Sequence, residues 1–248
     1  MKHLVPALTL LLPALIVSCT EGPTQADPLK GSLTLNVRLV DEYGDDLSNH
    51  SGVTVAIEGI NRTATTDDEG YVTFDNLSAG TYVIDITRPG FSRERAFGYQ
   101  FVGGGAAYIR DVYLAKLPTF TIGALTAEAE AGSGEDVLKL TGTISEAAPE
   151  HNRQMLRLYF HMSSTVSSEP GMFLVAGSVG ILSPMTDFTV FYPLAALRAA
   201  GIAKGTRVYL VAHPMAQWGT SYFDPIKRDW IETNISSQHS QVLSFIMP

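Results

Sequence analysis

Cysteine is almost absent from this sequence. The chain of 248 residues contains one cysteine, Cys19. Because a disulfide needs two thiols, no bridge can form within the chain. Stability must therefore come from core packing, and a hydrophobic content of 45% is typical of a globular protein that buries such a core.

Basic residues are also scarce. The sequence has 17 Lys and Arg against 25 Asp and Glu, which gives a formal net charge of -8. A protein that binds nucleic acid needs clustered cations to neutralise phosphates, and no such cluster occurs here. We therefore exclude nucleic acid as an expected partner.

Recognisable catalytic motifs are missing. The sequence has no Gly-x-Ser-x-Gly elbow, phosphate-binding loop, dinucleotide fingerprint or His-Glu-x-x-His zinc motif. The histidines after the N-terminal segment are scattered, and no two stand at metal-ligand spacing on one strand face. His161 and His213 fall opposite the aliphatic rows of their strands, which predicts solvated side chains. We expect no enzymatic activity, no cofactor and no bound metal.

An apolar run occupies the N-terminus. Leu4 to Val17 follows the positively charged start Met1-Lys2-His3 and is too short to span a bilayer, which is typical of a secretory signal. Its end, Leu15-Ile16-Val17-Ser18-Cys19, resembles a bacterial lipobox. That resemblance implies cleavage before Cys19 and acylation of Cys19, which would anchor the protein in a membrane. The alternative is an ordinary signal peptide followed by an unrelated cysteine.

These features define the expected N-terminal organisation. Residues 1–18 are predicted to be the signal peptide, and residues 19–30 the lipidated cysteine and a polar tether. Thr20 follows the cysteine, and by resemblance to sorting in enteric bacteria this favours the outer membrane. We expect an outer-membrane lipoprotein of the cell envelope, and the leaflet stays open.

Residues 31–117 show the pattern of a β-sandwich. Apolar and polar residues alternate from Leu33 to Leu39 and again from Val53 to Ile57. Asp67-Asp68-Glu69 precedes Gly70, and we interpret these acids as a turn braced by Asp67 rather than as a calcium site. Arg88 to Ala107 is rich in glycine, and its aromatic residues, from Phe91 to Phe101, lie in a predicted long loop. They form either a ligand platform or, the interpretation that we favour, rings packed under the loop.

One stretch of this region carries a family resemblance. Thr66 to Tyr82 reads T-D-x-x-G-x-x-x-F-x-N-L-x-x-G-x-Y, which resembles the regulatory-type domain appended to metallocarboxypeptidases. The resemblance covers about Gly31 to Lys116. It implies a prealbumin-like sandwich with a structural or binding role, and it brings no catalytic residues.

Residues 118–248 are predicted to form a second sandwich, with Leu117-Pro118 as the boundary. Alternating rows such as Leu156 to Met162 indicate strands, Pro193 to Gly201 indicates a short helix that Gly201 ends, and Ala127 to Asp136 is expected to be a loop. Gly205 to Ala212 resembles a strand of fibronectin type III or immunoglobulin-like modules. The predicted fold class is therefore all-β, with two tandem antiparallel β-sandwich domains.

Aromatic residues cluster near the C-terminus. Both tryptophans of the chain lie there, and the cluster consists of Trp218, Tyr222, Phe223 and Trp230. Flat rings with polar neighbours suit the apolar face and the hydroxyls of a sugar, so these four are our candidate ligand-binding residues. The simpler interpretation is packing, with one ring in the core of the second sandwich and the others beneath a loop.

Three functions compete at this point. The first is a non-catalytic, lipid-anchored binding protein for a glycan or a protein partner. The second is a structural spacer or accessory subunit of an envelope complex. The third is an envelope hydrolase that uses carboxylates among Asp187, Asp224, Asp229 and Glu232, although a sandwich of this size offers such pairs by chance.

Overall fold

The structure, a computed structural model, describes residues 27–132, 134–219 and 221–248. The predicted signal peptide, the lipidation site at Cys19 and most of the tether lie outside these residues. Within them the elements are sixteen strands and one short helix, which confirms the predicted all-β class. The described ranges contain no helix that is long and apolar enough to cross a membrane.

The N-terminal half is built from two facing sheets, which we call the first sandwich. Its strands are β1 Lys30–Val40, β2 Thr54–Ile57, β3 Arg62–Thr65, β4 Tyr71–Ser78, β5 Gly80–Thr87, β6 Glu94–Phe101 and β7 Ala106–Ala115. The sheet orders are β4-β1-β7 and β3-β2-β5-β6. The predicted alternation is confirmed, because Leu33, Leu35, Val55 and Ile84 meet in one core. One pair departs from the expected antiparallel pattern, since β1 and β7 run parallel.

The C-terminal half has its own core and forms the second sandwich. Its strands are β8 Ile122–Glu130, β9 Val137–Ile144, β10 Arg153–His161, β11 Val175–Leu182, β12 Asp187–Pro193, β13 Arg207–Met215, β14 Ser221–Asp224, β15 Asp229–Glu232 and β16 Leu243–Ile246. The facing sheets are β11-β10-β13-β16 and β12-β9-β8, and β14 pairs with β15 as a separate hairpin. Helix α1, Ala195–Ala199, confirms the predicted helix, and Leu194 and Leu197 beside and within it are fully buried.

The turn that precedes β4 forms as predicted. Gly70 has a φ of 89°, a region that residues with a β-carbon rarely adopt. Asp67 braces the turn, because its Oδ1 accepts the amide proton of Tyr71 at 2.7 Å and its carbonyl oxygen accepts that of Gly70 at 3.0 Å. The acidic cluster therefore has a structural role at the start of β4.

The prediction of a long loop around Phe91 to Phe101 is wrong, because residues 94–101 form β6. Ala96 and Tyr99 both pack against the core although they are three residues apart. The pairing of β5 with β6 shifts register at this place, and Gly98 has a φ of 68°. A bulge thus interrupts the alternation of period two that identifies a strand in a sequence.

Two further expectations for the second half are corrected. The loop expected from Ala127 to Asp136 begins later, because β8 continues to Glu130 and places the small side chains of Ala127 and Ala129 against the core. His213 is not solvated: it is buried, since residues 235–242 run along β13 and cover it. A strand face that looks exposed in the sequence is covered here by irregular chain.

Candidate functional site

The candidate site is the hairpin of β14 and β15. Side chains alternate along β14, so that Tyr222 and Asp224 point inward while Ser221 and Phe223 point outward. Phe223 lies directly opposite Trp230 of β15, and their ring centroids are 5.9 Å apart in an edge-to-face arrangement. The two side chains are 45% and 61% exposed, respectively. We call this pair the hairpin face.

The turn of the hairpin is held by Asp224. Its Oδ1 accepts the amide protons of Ile226 at 2.8 Å and of Lys227 at 3.1 Å. These hydrogen bonds, first the one from Lys227 and then the one from Ile226, lower the pKa of the Asp224 carboxyl. The carboxylate is therefore engaged in shaping the turn from β14 to β15.

The base of the hairpin is fixed to the second sandwich by Glu232. Its carboxylate forms an ion pair with Arg157 of β10, whose Nε donates to Oε2 at 2.8 Å. Tyr159 donates its hydroxyl proton to the same oxygen at 2.6 Å. Burial, followed by this hydrogen bond, raises the pKa of Tyr159. Burial alone would lower the pKa of Arg157, but the bond and charge of Glu232 outweigh it and raise that pKa.

These contacts bear on the hydrolase hypothesis. Asp224 and Glu232 both hold the hairpin in place, and Asp229 Oδ1 accepts the amide proton of Trp230 at 2.8 Å. Asp187 lies in β12, which belongs to a different sheet. The structure therefore gives Asp224 and Glu232 structural partners, and it places Asp187 in a different sheet from the hairpin that carries the other three carboxylates.

The inner face of the hairpin docks on the first sandwich. Tyr222 is 8% exposed, and its ring centroid lies 6.1 Å from that of Phe97 in β6. Arg95 covers Phe97 with its guanidinium carbon 4.7 Å from the ring centroid. Just after β15, Thr233 donates its hydroxyl proton to the carbonyl oxygen of Arg93 at 2.7 Å. Tyr222 is thus a residue of the junction between the two sandwiches.

Trp218 belongs to the same junction. Its ring meets that of Tyr113 in β7 edge-to-face at 6.2 Å, and the adjacent Gln217 amide donates to the carbonyl oxygen of Glu42 at 2.7 Å. Gly44 lies against the indole, because a β-carbon added there would be 3.5 Å from Trp218 Cε3. Half of the Trp218 side chain remains exposed.

The four candidate residues therefore separate into two pairs. Phe223 and Trp230 point outward together, whereas Trp218 and Tyr222 contact the first sandwich. None of the four belongs to the core of the second sandwich, so the interpretation that one of them fills that core is wrong. Sequence reasoning also missed the partners at the junction, Phe97 and Tyr113, because contacts between distant strands leave no local pattern.

Comparison with protein families identifies one region. The profile of the carboxypeptidase regulatory-like domain family matches residues 34–115. This match agrees with the resemblance found between Gly31 and Lys116, and it covers the first sandwich. No curated protein sequence matches the chain.

Several solved structures match at low similarity. A cohesin–X-dockerin complex of Acetivibrio cellulolyticus matches at 18% identity and a TM-score of 0.30, over 35% of this chain and 58% of that one. A candidate carbohydrate-binding protein of Bacteroides uniformis matches at 14% identity and a TM-score of 0.30. A DUF3823 family protein of Parabacteroides merdae matches at 15% identity and a TM-score of 0.32. Both of these matches cover 88% of this chain and 100% of the other. Such TM-scores carry no argument about function.

Proposed function

We propose that this chain is a non-catalytic, lipid-anchored protein of the cell envelope that captures a glycan on its hairpin face. The observation that carries the proposal is the outward pairing of Phe223 and Trp230. Large aromatic rings exposed side by side present a flat apolar surface of the kind that stacks on sugar rings. Lys227, Arg228 and Asp229 adjoin them and supply hydrogen-bonding groups for hydroxyls.

The contacts that hold the hairpin in place support this proposal. Asp224 holds its turn, Glu232 ties its base to β10, and Tyr222 seats its inner face on β6. A ligand that binds such a surface does not have to order it first, so less of the binding free energy is lost to conformational entropy. Exposed rings on a rigid support are suited to weak, repeated contacts along a polysaccharide.

The test is glycan-array binding by the purified full-length chain. We expect binding by the wild type and its loss, by at least about tenfold in affinity, in the double variant Phe223→Ala/Trp230→Ala. The variant should stay folded, because both side chains are exposed. Trp218 and Tyr222 are left intact so that the junction is preserved.

A matched control removes another exposed aromatic pair. Tyr71 and Tyr108 lie on the outer face of the first sandwich with ring centroids 6.3 Å apart, and their side chains are 44% and 43% exposed. The variant Tyr71→Ala/Tyr108→Ala should bind like the wild type. Equal loss in both double variants, or blank arrays for the wild type, would contradict capture by the hairpin face.

The envelope location belongs to the same proposal. It is supported by the sequence around Cys19, with residues 1–18 as signal peptide and residues 19–30 as tether. Residues 118–248 would form a fibronectin or immunoglobulin-like domain behind the regulatory-like domain of residues 31–117. Metabolic labelling with a palmitate analogue should tag the wild type and spare Cys19→Ala; label retained by the variant would rule out acylation at this residue.

The alternative of a structural spacer is favoured by a different observation. The contacts of Trp218 with Tyr113 and of Tyr222 with Phe97 hold the two sandwiches together. A fixed tandem of this kind suits a subunit that sets a distance within a complex. In-cell cross-linking that recovers the same envelope protein with the wild type and with Phe223→Ala/Trp230→Ala would favour the spacer over glycan capture.

A further inference from the structure

A recess lies against strand β13 of the second sandwich, and the proposed function does not use it. Its volume is about 470 Å³. Residues 235–242, which run along β13, and residues 166–169 contribute to its lining, together with Val211 of β13. His213 and His239 both line this space, and we therefore call it the histidine recess.

The two histidines are neighbours although they are distant in the sequence. Their ring centroids are 5.2 Å apart, with an angle of 46° between the rings. They meet because residues 235–242 cover β13, where the amide of Ser240 donates to the carbonyl oxygen of Ala212 at 2.8 Å. His213 is buried, whereas His239 is exposed. The pair thus extends from the interior to the surface, so an ion can reach it from solvent.

Hydrogen bonds to the backbone fix the tautomer of both rings. Nδ1 of His213 lies 3.0 Å from the carbonyl oxygen of Ser236, and Nδ1 of His239 lies 2.7 Å from that of Ser240. Because a carbonyl oxygen only accepts, each Nδ1 must carry the proton, and the lone pair of a neutral ring is then on Nε2. Within the described ranges neither Nε2 has a hydrogen-bond partner. Histidines that bind metals are held in this way, with one ring nitrogen donating to a carbonyl and the other free to coordinate.

Two other histidines have the opposite tautomer. Nδ1 of His50 accepts the amide proton of Leu39 at 3.0 Å, and Nδ1 of His161 accepts that of Ser163 at 2.8 Å. An amide only donates, so in these neutral rings Nε2 carries the proton and has no lone pair for a metal. Of the histidines whose Nδ1 bonds to the backbone in the described part of the chain, only the two that contact each other leave Nε2 free to coordinate.

The separation of the two rings fits a shared metal ion. A zinc ion lies about 2.0–2.1 Å from a coordinating imidazole nitrogen, which places the ion about 3.2 Å from the ring centroid. Two rings that bind one ion at a tetrahedral angle therefore have centroids about 5 Å apart, and the observed distance is 5.2 Å. The described residues add no third histidine, cysteine or carboxylate to this pair, so water would complete the coordination.

We propose that the histidine recess binds one divalent ion of a late first-row transition metal through Nε2 of His213 and Nε2 of His239. Neutral imidazoles suit zinc, copper and nickel, whereas magnesium and calcium prefer oxygen ligands. No metal was expected from the sequence, because the two histidines do not share a strand face. The bound ion would tie residues 235–242 to β13. This site is separate from the hairpin face and does not depend on glycan capture.

The first test is NMR of the full chain with ¹⁵N-labelled histidine. Without metal, His213 and His239 should show the tautomer protonated at Nδ1, and His50 and His161 the one protonated at Nε2. Addition of Zn²⁺ should then shift Nε2 of His213 and His239 in a saturable way and leave the other two unchanged. Mg²⁺ is the matched ion and should cause no shift, because it prefers oxygen ligands.

Variants measured by calorimetric titration with Zn²⁺ complete the test. His213→Asn and His239→Asn should each lower the affinity at least about tenfold, because one of two ligands is lost. His161→Asn is the control and should bind like the wild type. Thermal unfolding checks that each variant is folded, and His239→Asn decides the question alone if His213→Asn is not, because His239 is exposed.

Three results would overturn the proposal. The first is the absence of saturable Zn²⁺ shifts at His213 and His239 up to millimolar ion. The second is a loss of affinity in His161→Asn equal to that in His239→Asn, or unchanged affinity in His239→Asn. The third is protonation of Nε2 in both rings of the pair, because no lone pair would then face the recess.

Discussion

At the scale of single residues, burial decides chemistry that a strand pattern does not reveal. His213 lies under residues 235–242, and its Nδ1 is 3.0 Å from the carbonyl oxygen of Ser236. Its ring contacts Tyr159 edge-to-face at 5.6 Å and His239 at 5.2 Å. Burial lowers the pKa of His213, the Ser236 carbonyl opposes that effect, and His239 adds to it. A neutral imidazole is thus part of the folded state.

This burial predicts a dependence of stability on pH. The pKa is lower in the folded protein than the ordinary value of 6.5, so below that value the unfolded chain binds more protons. The contribution of neutral His213 to the free energy of unfolding should therefore be complete above pH 6.5 and decrease as the solution becomes more acidic. We expect His213→Asn to lose less stability than the wild type between about pH 7.5 and pH 5.5, as measured by urea unfolding.

His50 should contribute to the same dependence of stability on pH. Its pKa is also lowered by burial, and its Nδ1 accepts the amide proton of Leu39 at 3.0 Å. The variant should therefore retain part of the pH dependence. Identical losses in His213→Asn and in the wild type would show that His213 does not contribute.

At the scale of elements, the position of the hairpin depends on its ion pair. Glu232 and Arg157 are mostly buried, so replacing the carboxylate leaves a poorly solvated guanidinium. We expect Glu232→Gln to lose about 1–3 kcal/mol of stability, since an amide still bonds to Tyr159 but carries no charge. Glycan affinity should fall as well, because the hairpin would be held less firmly. Chemical denaturation and array binding measure the two effects.

The matching control is an exposed ion pair that also contains a glutamate. Glu169 lies 3.8 Å from Lys227, and both side chains are well exposed. Surface pairs contribute little, so Glu169→Gln should change stability by less than about 0.5 kcal/mol. If both variants behaved alike, the pair at the base of the hairpin would have no special role.

Prediction from sequence worked where the element carried its own signal. Strands β1 and β2, the turn at Gly70 and helix α1 have regular alternation, a glycine at positive φ or a clear stop, and all were found. Strand β6 was missed because its bulge breaks the period of two. The end of β8 was missed because alanine and glutamate alternate there, which resembles a loop in composition.

The candidate site was also predictable only in part from the sequence. The aromatic cluster was visible as composition, but its split into an outward pair and a junction pair depends on which residues face each other across β14 and β15. The partners Phe97 and Tyr113 are more than a hundred residues away in the chain. Such pairings follow from the arrangement of both sandwiches, and no short stretch of sequence encodes them.

At the scale of the whole molecule, the junction joins the two cores. Trp218 packs on Tyr113, Tyr222 packs on Phe97, and Gln154 Nε2 donates to the hydroxyl of Tyr43 at 3.1 Å. The short connection adds to this, because the amide of Leu117 donates to the carbonyl oxygen of Gly90 at 2.8 Å. These contacts restrict motion of one sandwich against the other.

We therefore expect a single cooperative unfolding transition in scanning calorimetry of the full chain. The double variant Trp218→Ala/Tyr222→Ala should separate it into two, because each half keeps its core while the aromatic contacts between the halves are lost. Phe223→Ala/Trp230→Ala is the matched control and should keep one transition. Two transitions already present in the wild type would show that the junction does not couple the sandwiches.

The hairpin also has a consequence for how the protein evolves. Its strands lie in the C-terminal half of the gene, yet Tyr222 is covered by Phe97, which the N-terminal half encodes. A recombination event that joined residues 118–248 to an unrelated partner would leave that aromatic ring without its cover. We therefore expect an exchange of either half to need compensating changes in β6 or β14.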